Sequence, residues 1–220
     1  LKQPFSIDEI LARIEAAVRP FPKAALFELY ERGYQSIFEQ LVACIISIRT
    51  LDETTIPVAL KLFGLARTPA DLKALPEALL ETLLIGSTFP GQKAQTLLRI
   101  AATALQFSGG NLPASPEVLT GIKGVGPKCA NLALGITGMV PAIGVDIHVH
   151  RVSNRWGYVH TKTPEQTLGV LEGQLPCEHW VTINRLLVPF GKHICTGILP
   201  HCSTCPVLEF CQQVGVTRHR

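Results

Sequence analysis

The 220-residue chain contains no apolar run long enough to cross a bilayer, so no membrane-spanning helix and no membrane partner are expected. Residues 1–9 lack the basic stretch followed by an apolar stretch that marks a secretory leader. Nowhere do apolar and polar residues alternate one by one between hairpin turns, which argues against a sheet protein. Low-complexity tracts, a clear linker and internal repeats are also missing. The chain is expected to leave and re-enter one lobe, with soft domain borders. Charge excess is small: 20 Lys and Arg against 17 Asp and Glu leave a formal net charge of +3. That permits nucleic-acid binding without demonstrating it. Because the chain begins at Leu1 and not at Met, its natural N-terminus is expected to be missing.

What is present reads as helix. Hydrophobic residues make up 47% of the chain, ample for a buried interior. Ser6 and Glu9 form an S-x-x-E capping box ahead of Ile10, Leu11, Ile14 and Val18, and Pro20 and Pro22 close that helix. Phe38, Leu41, Val42, Ile45 and Ile46 recur at helical spacing. Thr68-Pro69, Ser115-Pro116 and Thr163-Pro164 each set an N-cap before a proline at the first helical position. An all-α protein of roughly ten short helices follows, given a mean helix of about eleven residues.

Cysteine is the densest signal. Cys195, Cys202, Cys205 and Cys211 are spaced C-x6-C-x2-C-x5-C near the C-terminus. Thiols so close in sequence would need tight, strained loops to pair as disulfides. They can wrap one metal centre, and thiolates favour zinc or an iron–sulfur cluster over hard cations. Zinc sites usually pair their ligands as two short knuckles. Only Cys202 and Cys205 form one here, and that asymmetry leans toward a cubane cluster held by one loop. Thiolate ligands point to a reducing compartment, cytoplasmic in a bacterium and nuclear in a eukaryote. Cys44, Cys129 and Cys177 are scattered and apolar-flanked, and are expected as buried packing residues that hold no metal.

A second signal runs from Leu119 to Lys128 as LTGIKGVGPK. Gly124 and Gly126 relieve the steric limits of a tight turn and let another backbone come close. Ile122 and Val125 would anchor the turn. A helix starting near Pro127 would direct its unbonded N–H groups outward, ready for a phosphate. A G-x-G by itself is more often only a turn. Lys128 would sit in the first turn of that helix, where a positive charge is disfavoured. This favours the neutral amine that attack on a sugar carbon requires. Taken alone, it is more simply a solvated lysine. The third signal is Asp146, in VDIHV. It is either an ordinary helix N-cap or a carboxylate at a cleft, able to stabilise a sugar cation or assist an amine.

These three features, in this order, resemble the endonuclease III family of DNA glycosylases in the helix-hairpin-helix superfamily. The resemblance covers essentially the whole chain. It runs through Phe38-Glu39-Gln40-Leu41 in an early helix, Gly124 to Asn131 in the hairpin, Val145 to Val149 in the aspartate segment, and Gly191 to Cys195 leading into the cysteine loop. It implies a six-helix barrel lobe over residues 30–140, with the helix-hairpin-helix at 116–135. It also implies a discontinuous iron–sulfur lobe over 1–29 and 141–220. It implies a monomer that binds double-stranded DNA containing damaged bases or abasic sites. Cys195, Cys202, Cys205 and Cys211 would hold a [4Fe-4S] cluster. Lys128 and Asp146 would be catalytic, removing oxidised pyrimidines and nicking the strand through a Schiff base. Arg49, Phe89, Gly124, Gly126 and His148 would lie against DNA.

The chain departs from the family pattern in four places. Arg49 stands where the family carries glutamine. Phe89 lies in an altered loop, where a wedge between bases and burial in the core are equally open. Residues 196–201 contain no lysine or arginine, although relatives often carry basic residues there. Ile147 replaces a residue that is often hydroxylated. Two other readings remain: a DNA-damage-binding protein with weak catalysis, and an iron–sulfur electron-transfer protein.

Overall fold

The computed structural model describes residues 2–220. Twelve α-helices occur among them and no strand, only an isolated bridge between Ile85 and Ser87. The prolines act as expected. Thr68, Ser115 and Thr163 each cap a helix that has proline in its first turn. At Ser6 the capping box is half made: Ser6 accepts from the Glu9 N–H, and that helix, α1 (Ile7–Val18), stops before Pro20.

The chain divides into two compact units, residues 25–142 and residues 1–24 with 143–220. The continuous unit holds α2 (Ala25–Glu31), α3 (Ile37–Ser47), α4 (Asp52–Phe63), α5 (Pro69–Ala74), α6 (Glu77–Leu83), α7 (Pro90–Ala104), α8 (Pro116–Gly121) and α9 (Pro127–Ile136). Of these, α5 and α8 have only six residues. Helix α3 is its axis. Every residue from Ile37 to Ile46 is buried, and α3 packs on α4, α7 and α9. Glu39 survives inside because its carboxylate closes the Ser36 capping box and meets Arg67 Nε at 2.6 Å.

The discontinuous unit joins α1 to α10 (Ile147–Trp156), α11 (Pro164–Gln174) and α12 (Trp180–His193). Both α1 and α10 pack on α12. Trp156 and Phe190 are among the largest side chains fully enclosed there. Burying residues of that size outweighs most single polar contacts, at about 1.5–3 kcal/mol each.

Candidate functional site

The hairpin is formed by α8, the turn at 122–126 and α9. Ile122 and Val125 are buried and anchor it, and the Val125 N–H donates to Ile122 O at 2.9 Å. The two glycines do different jobs. Gly124 has φ +101°, and a Cβ there would lie 2.6 Å from Thr96 Oγ1 on α7. The turn therefore requires glycine twice over, for conformation and for space. Gly126 has φ −98°, which any residue adopts, and a Cβ there would meet nothing within 4 Å. The expectation that both glycines relieve turn strain is corrected: only Gly124 does, while Gly126 keeps an open face at the start of α9. Lys128 is half-buried in the first turn of that helix.

Asp146 caps α10. Its Oδ1 accepts from the His148 and Val149 N–H groups, each at 2.9 Å. Oδ2 takes no part in those two bonds. The cap accounts for the helix start without excluding chemistry by the other oxygen. His148, one residue pair on, is half-buried. Its Nδ1 accepts from Arg151 Nη2 at 3.2 Å, and Gly191 packs so close that a Cβ there would lie 2.5 Å from the same atom. Ile147 is exposed.

Two loops of the continuous unit carry the departures noted in the sequence. Arg49 and Phe89 both adopt left-handed backbone, φ +53° and +51°. For non-glycine residues this costs about 1–3 kcal/mol each and persists only where the surroundings enforce it. Both are exposed, Phe89 at 55%. That removes the core alternative for Phe89. Ile48, Leu51 and Ile85 are exposed beside them, so the two loops present apolar side chains with one guanidinium.

The enforcing group is Lys93, which the sequence reading passed over. It is 5% exposed on α7. Its Nζ donates to Ile46 O at 2.6 Å, Thr50 Oγ1 at 2.9 Å and Ile48 O at 3.0 Å, with Thr88 Oγ1 at 3.4 Å. Burial pulls its ammonium down to about 8. The backbone carbonyls can only accept, so the charged form is the one that satisfies them. The signal was present in the periodicity, since Lys93 shares the buried face of α7 with Leu97, Ile100 and Ala104.

The four C-terminal cysteines converge on one cavity, lined also by Arg155, Trp156 and Phe190. Burial, reinforced by the neighbouring cysteines, pushes the Cys205 thiol up to about 12 and the Cys211 thiol in the same direction. Ionised thiols packed this way call for a cation among them. Among the described residues no three or more His, Cys, Asp or Glu side chains gather closely enough to hold one metal ion. Four thiols lining one cavity are a donor set of the chemistry that suits an iron–sulfur cluster. Donors already point at the sulfurs: Arg155 Nη1 lies 3.4 Å from Cys195 Sγ, and the Gln213 N–H lies 3.3 Å from Cys211 Sγ. The residues fit the cluster.

Arg155 also holds the backbone of the cysteine loop. From α10 it donates to Thr196 O at 2.6 Å, Gly197 O at 2.8 Å and Cys195 O at 3.3 Å. Arg151 adds bonds to Gly191 O and Cys195 O. Two arginines of α10 thus hold the loop's carbonyls in place. Cys44 and Cys129 are buried as expected, and a hydrogen bond with Cys44, together with burial, holds the Cys129 thiol well above its usual range. Cys177 corrects the expectation: it is exposed, because it opens a single 3-10 turn after Pro176.

Residues 42–177, more than half of the chain, match the HhH-GPD superfamily base excision DNA repair protein family. The chain belongs to the HhH-GPD superfamily of base excision DNA repair proteins. Within it, the enzymatic class is DNA glycosylase and abasic-site lyase of the endonuclease III type. Endonuclease III of Thermotoga maritima is 41% identical over 176 residues, covering 80% of this chain and 82% of the relative. Endonuclease III of Escherichia coli is 28% identical over 204 residues, covering 93% of each. A solved trapped endonuclease III–DNA covalent intermediate superposes with a TM-score of 0.78 at 28% identity, over 95% of this chain and 97% of the other.

Proposed function

We propose that the chain, as a monomer on double-stranded DNA, removes oxidised pyrimidines and nicks the strand by β-elimination, with Lys128 as nucleophile and Asp146 as its carboxylate partner. The observation that carries this is the placement of Lys128 in the first turn of α9, directly behind the Gly124–Gly126 turn with its open face. The α9 N–H groups suit a DNA phosphate. The damaged nucleotide is extruded from the stack before reaction. The Lys128 amine then bonds to C1′ as the C1′–N bond to the base breaks, and the base leaves with a proton. Ring opening gives an iminium. Loss of a C2′ proton expels the 3′ phosphate and cuts the strand. Asp146 stabilises positive charge at the sugar during base departure, or takes the amine proton.

Cys195, Cys202, Cys205 and Cys211 would hold a [4Fe-4S] cluster, which when bound ties the C-terminal loop into one rigid unit. Arg49 and Phe89 would enter the distorted duplex, and Gly124, Gly126 and His148 would lie near its backbone.

Borohydride trapping on a duplex with one abasic site tests the reaction. The wild type becomes covalently linked, and Lys128→Gln loses both trapping and nicking while retaining DNA binding. Trapping that survives in Lys128→Gln would move the nucleophile to another amine. Absence of trapping by the wild type would leave a damage-binding or electron-transfer protein. Asp146→Asn should slow base removal more than binding; an unchanged single-turnover rate would leave Asp146 as a helix cap only.

A further inference from the structure

We propose that Lys93 is a positioning residue that sets the register between the Arg49 loop and the Phe89 loop, and thereby governs engagement of a lesion that is still base-paired. The inference rests on the reading above, in which those loops enter the duplex. Both left-handed residues are tied to Lys93: Arg49 is bracketed by atoms bound to its ammonium, and Phe89 is held by the ammonium on one side and by the Lys93 backbone N–H at its own carbonyl. Ile48 O and Thr50 Oγ1, from the residues on either side of Arg49, lie 3.0 and 2.9 Å from Lys93 Nζ. Thr88 Oγ1, from the residue before Phe89, lies at 3.4 Å. The Phe89 carbonyl accepts the Lys93 backbone N–H at 3.1 Å. The loops are also stitched to each other: the Thr88 N–H donates to Thr50 Oγ1 at 3.2 Å, and Thr88 Oγ1 donates to Ile48 O at 2.9 Å.

One helical turn further along α7, Thr96 fills the space beside Gly124. Helix α7 therefore braces three segments, the two loops through Lys93 and the hairpin through Thr96. Lys93 touches no DNA in this arrangement, being buried beneath the loops. Its effect is on where Arg49 and Phe89 stand. Flipping a paired base needs both side chains in place together. An abasic site, which has no base to extrude, needs them less.

The test is single-turnover kinetics of Lys93→Met on two duplexes, one with a single thymine glycol and one with a preformed abasic site. Methionine keeps the length and removes the donors. The expected result is a loss of roughly tenfold to a hundredfold on thymine glycol, the scale of an ångström of misplacement. Nicking and trapping on the abasic duplex should stay near wild type. Thr88→Val, which removes the hydroxyl bonds from Thr88 to Ile48 O and to the ammonium but keeps the lysine itself in the core, should shift the ratio the same way. It also keeps the question open if Lys93→Met does not fold. Equal losses on both duplexes, or an unchanged ratio in both variants, would overturn the role of Lys93. A wild type that fails to trap on abasic DNA overturns the parent reading and this one together, whereas trapping with an unchanged ratio overturns this one alone.

Discussion

Two irregular stretches of this protein are each held by a cation reaching out of a neighbouring helix, and they are held differently. The cysteine loop is gripped by Arg155, whose fork reaches three consecutive carbonyls, Cys195, Thr196 and Gly197. The Arg49 and Phe89 loops are gripped by Lys93, one ammonium bonded to residues of both. Arginine stays charged at any working pH, and its planar geometry fixes one contiguous segment. Lysine is a point charge with rotatable donors, and burial brings its titration toward neutrality. The first arrangement suits a loop that only has to keep its shape around a cofactor. The second suits two loops that hold strained residues side by side through one shared group.

The largest expected effect breaks the first side of the comparison. Cys205→Ser removes one of the sulfurs around the cavity, and the cluster should be lost with it. Iron and sulfide analysis of anaerobically purified protein should fall to background, and the C-terminal loop should become protease-sensitive. Zinc without sulfide in the wild type would instead mean that the site is not a cluster site.

Arg155→Ala is the next step down. It strips donors from several carbonyls at once and one donor from Cys195 Sγ. A loss of about 2–3 kcal/mol is expected from removing a charged hydrogen-bonding group in a half-buried setting. Chemical denaturation should show it, and Arg155→Lys should recover only part, since lysine cannot reproduce the fork. Full recovery by lysine would mean that charge alone holds the loop and would erase the contrast with Lys93.

The helices, their caps and the four clustered cysteines were readable in the sequence because each is local. Ser115-Pro116 or C-x6-C-x2-C-x5-C carries its physical meaning within one turn or one loop. Arg49, exposed in the loop after α3, was legible as non-core for the same reason. The burial of Lys93 was legible in the spacing of α7, but its partners and those of Arg155 were not, because they are distant carbonyls, 45 residues away for Lys93 to Ile48 and 41 for Arg155 to Thr196. Gly126 was misread because a G-x-G pattern does not say which glycine needs positive φ. Cys177 was misread because apolar neighbours in sequence do not bury a residue that opens a short turn.

On the second side of the comparison, Arg49→Ala removes a side chain that Lys93 positions but leaves the clamp intact. It should cost about 1 kcal/mol of the stabilisation of a flipped base, part of the few kcal/mol that extrusion requires. Cleavage of thymine-glycol duplex should fall by about tenfold at most, with abasic nicking nearly unchanged. Equal loss on both would make Arg49 a general phosphate contact, and no loss on either would keep it out of the DNA.

The smallest effect separates the two cations by pH. Lys93 is pulled down to about 8 from the ordinary 10.5 by burial. Between those values the unfolded chain carries a proton that the folded chain has lost, so stability contributed through this group rises with pH. Loss of loop order above pH 8 therefore cannot be an unfolding effect of Lys93. A neutral amine still donates, but with one hydrogen fewer for its oxygen acceptors. About one hydrogen bond's net contribution, near 1 kcal/mol, is at stake. The rate ratio of thymine-glycol to abasic cleavage should accordingly decline by no more than about fivefold between pH 7 and 9.5. Lys128, the proposed nucleophile, would serve both substrates, so taking the ratio sets aside changes common to the two reactions. The partners that hold Lys93 through side chains, Thr50 and Thr88, do not titrate, so within this clamp only the ammonium changes charge. The cysteine loop offers the control: protease resistance there, held by Arg155, should stay flat over the same range. A ratio that is equally flat would mean that the carbonyls keep Lys93 charged throughout, and that the two clamps differ in shape but not in how they respond to pH.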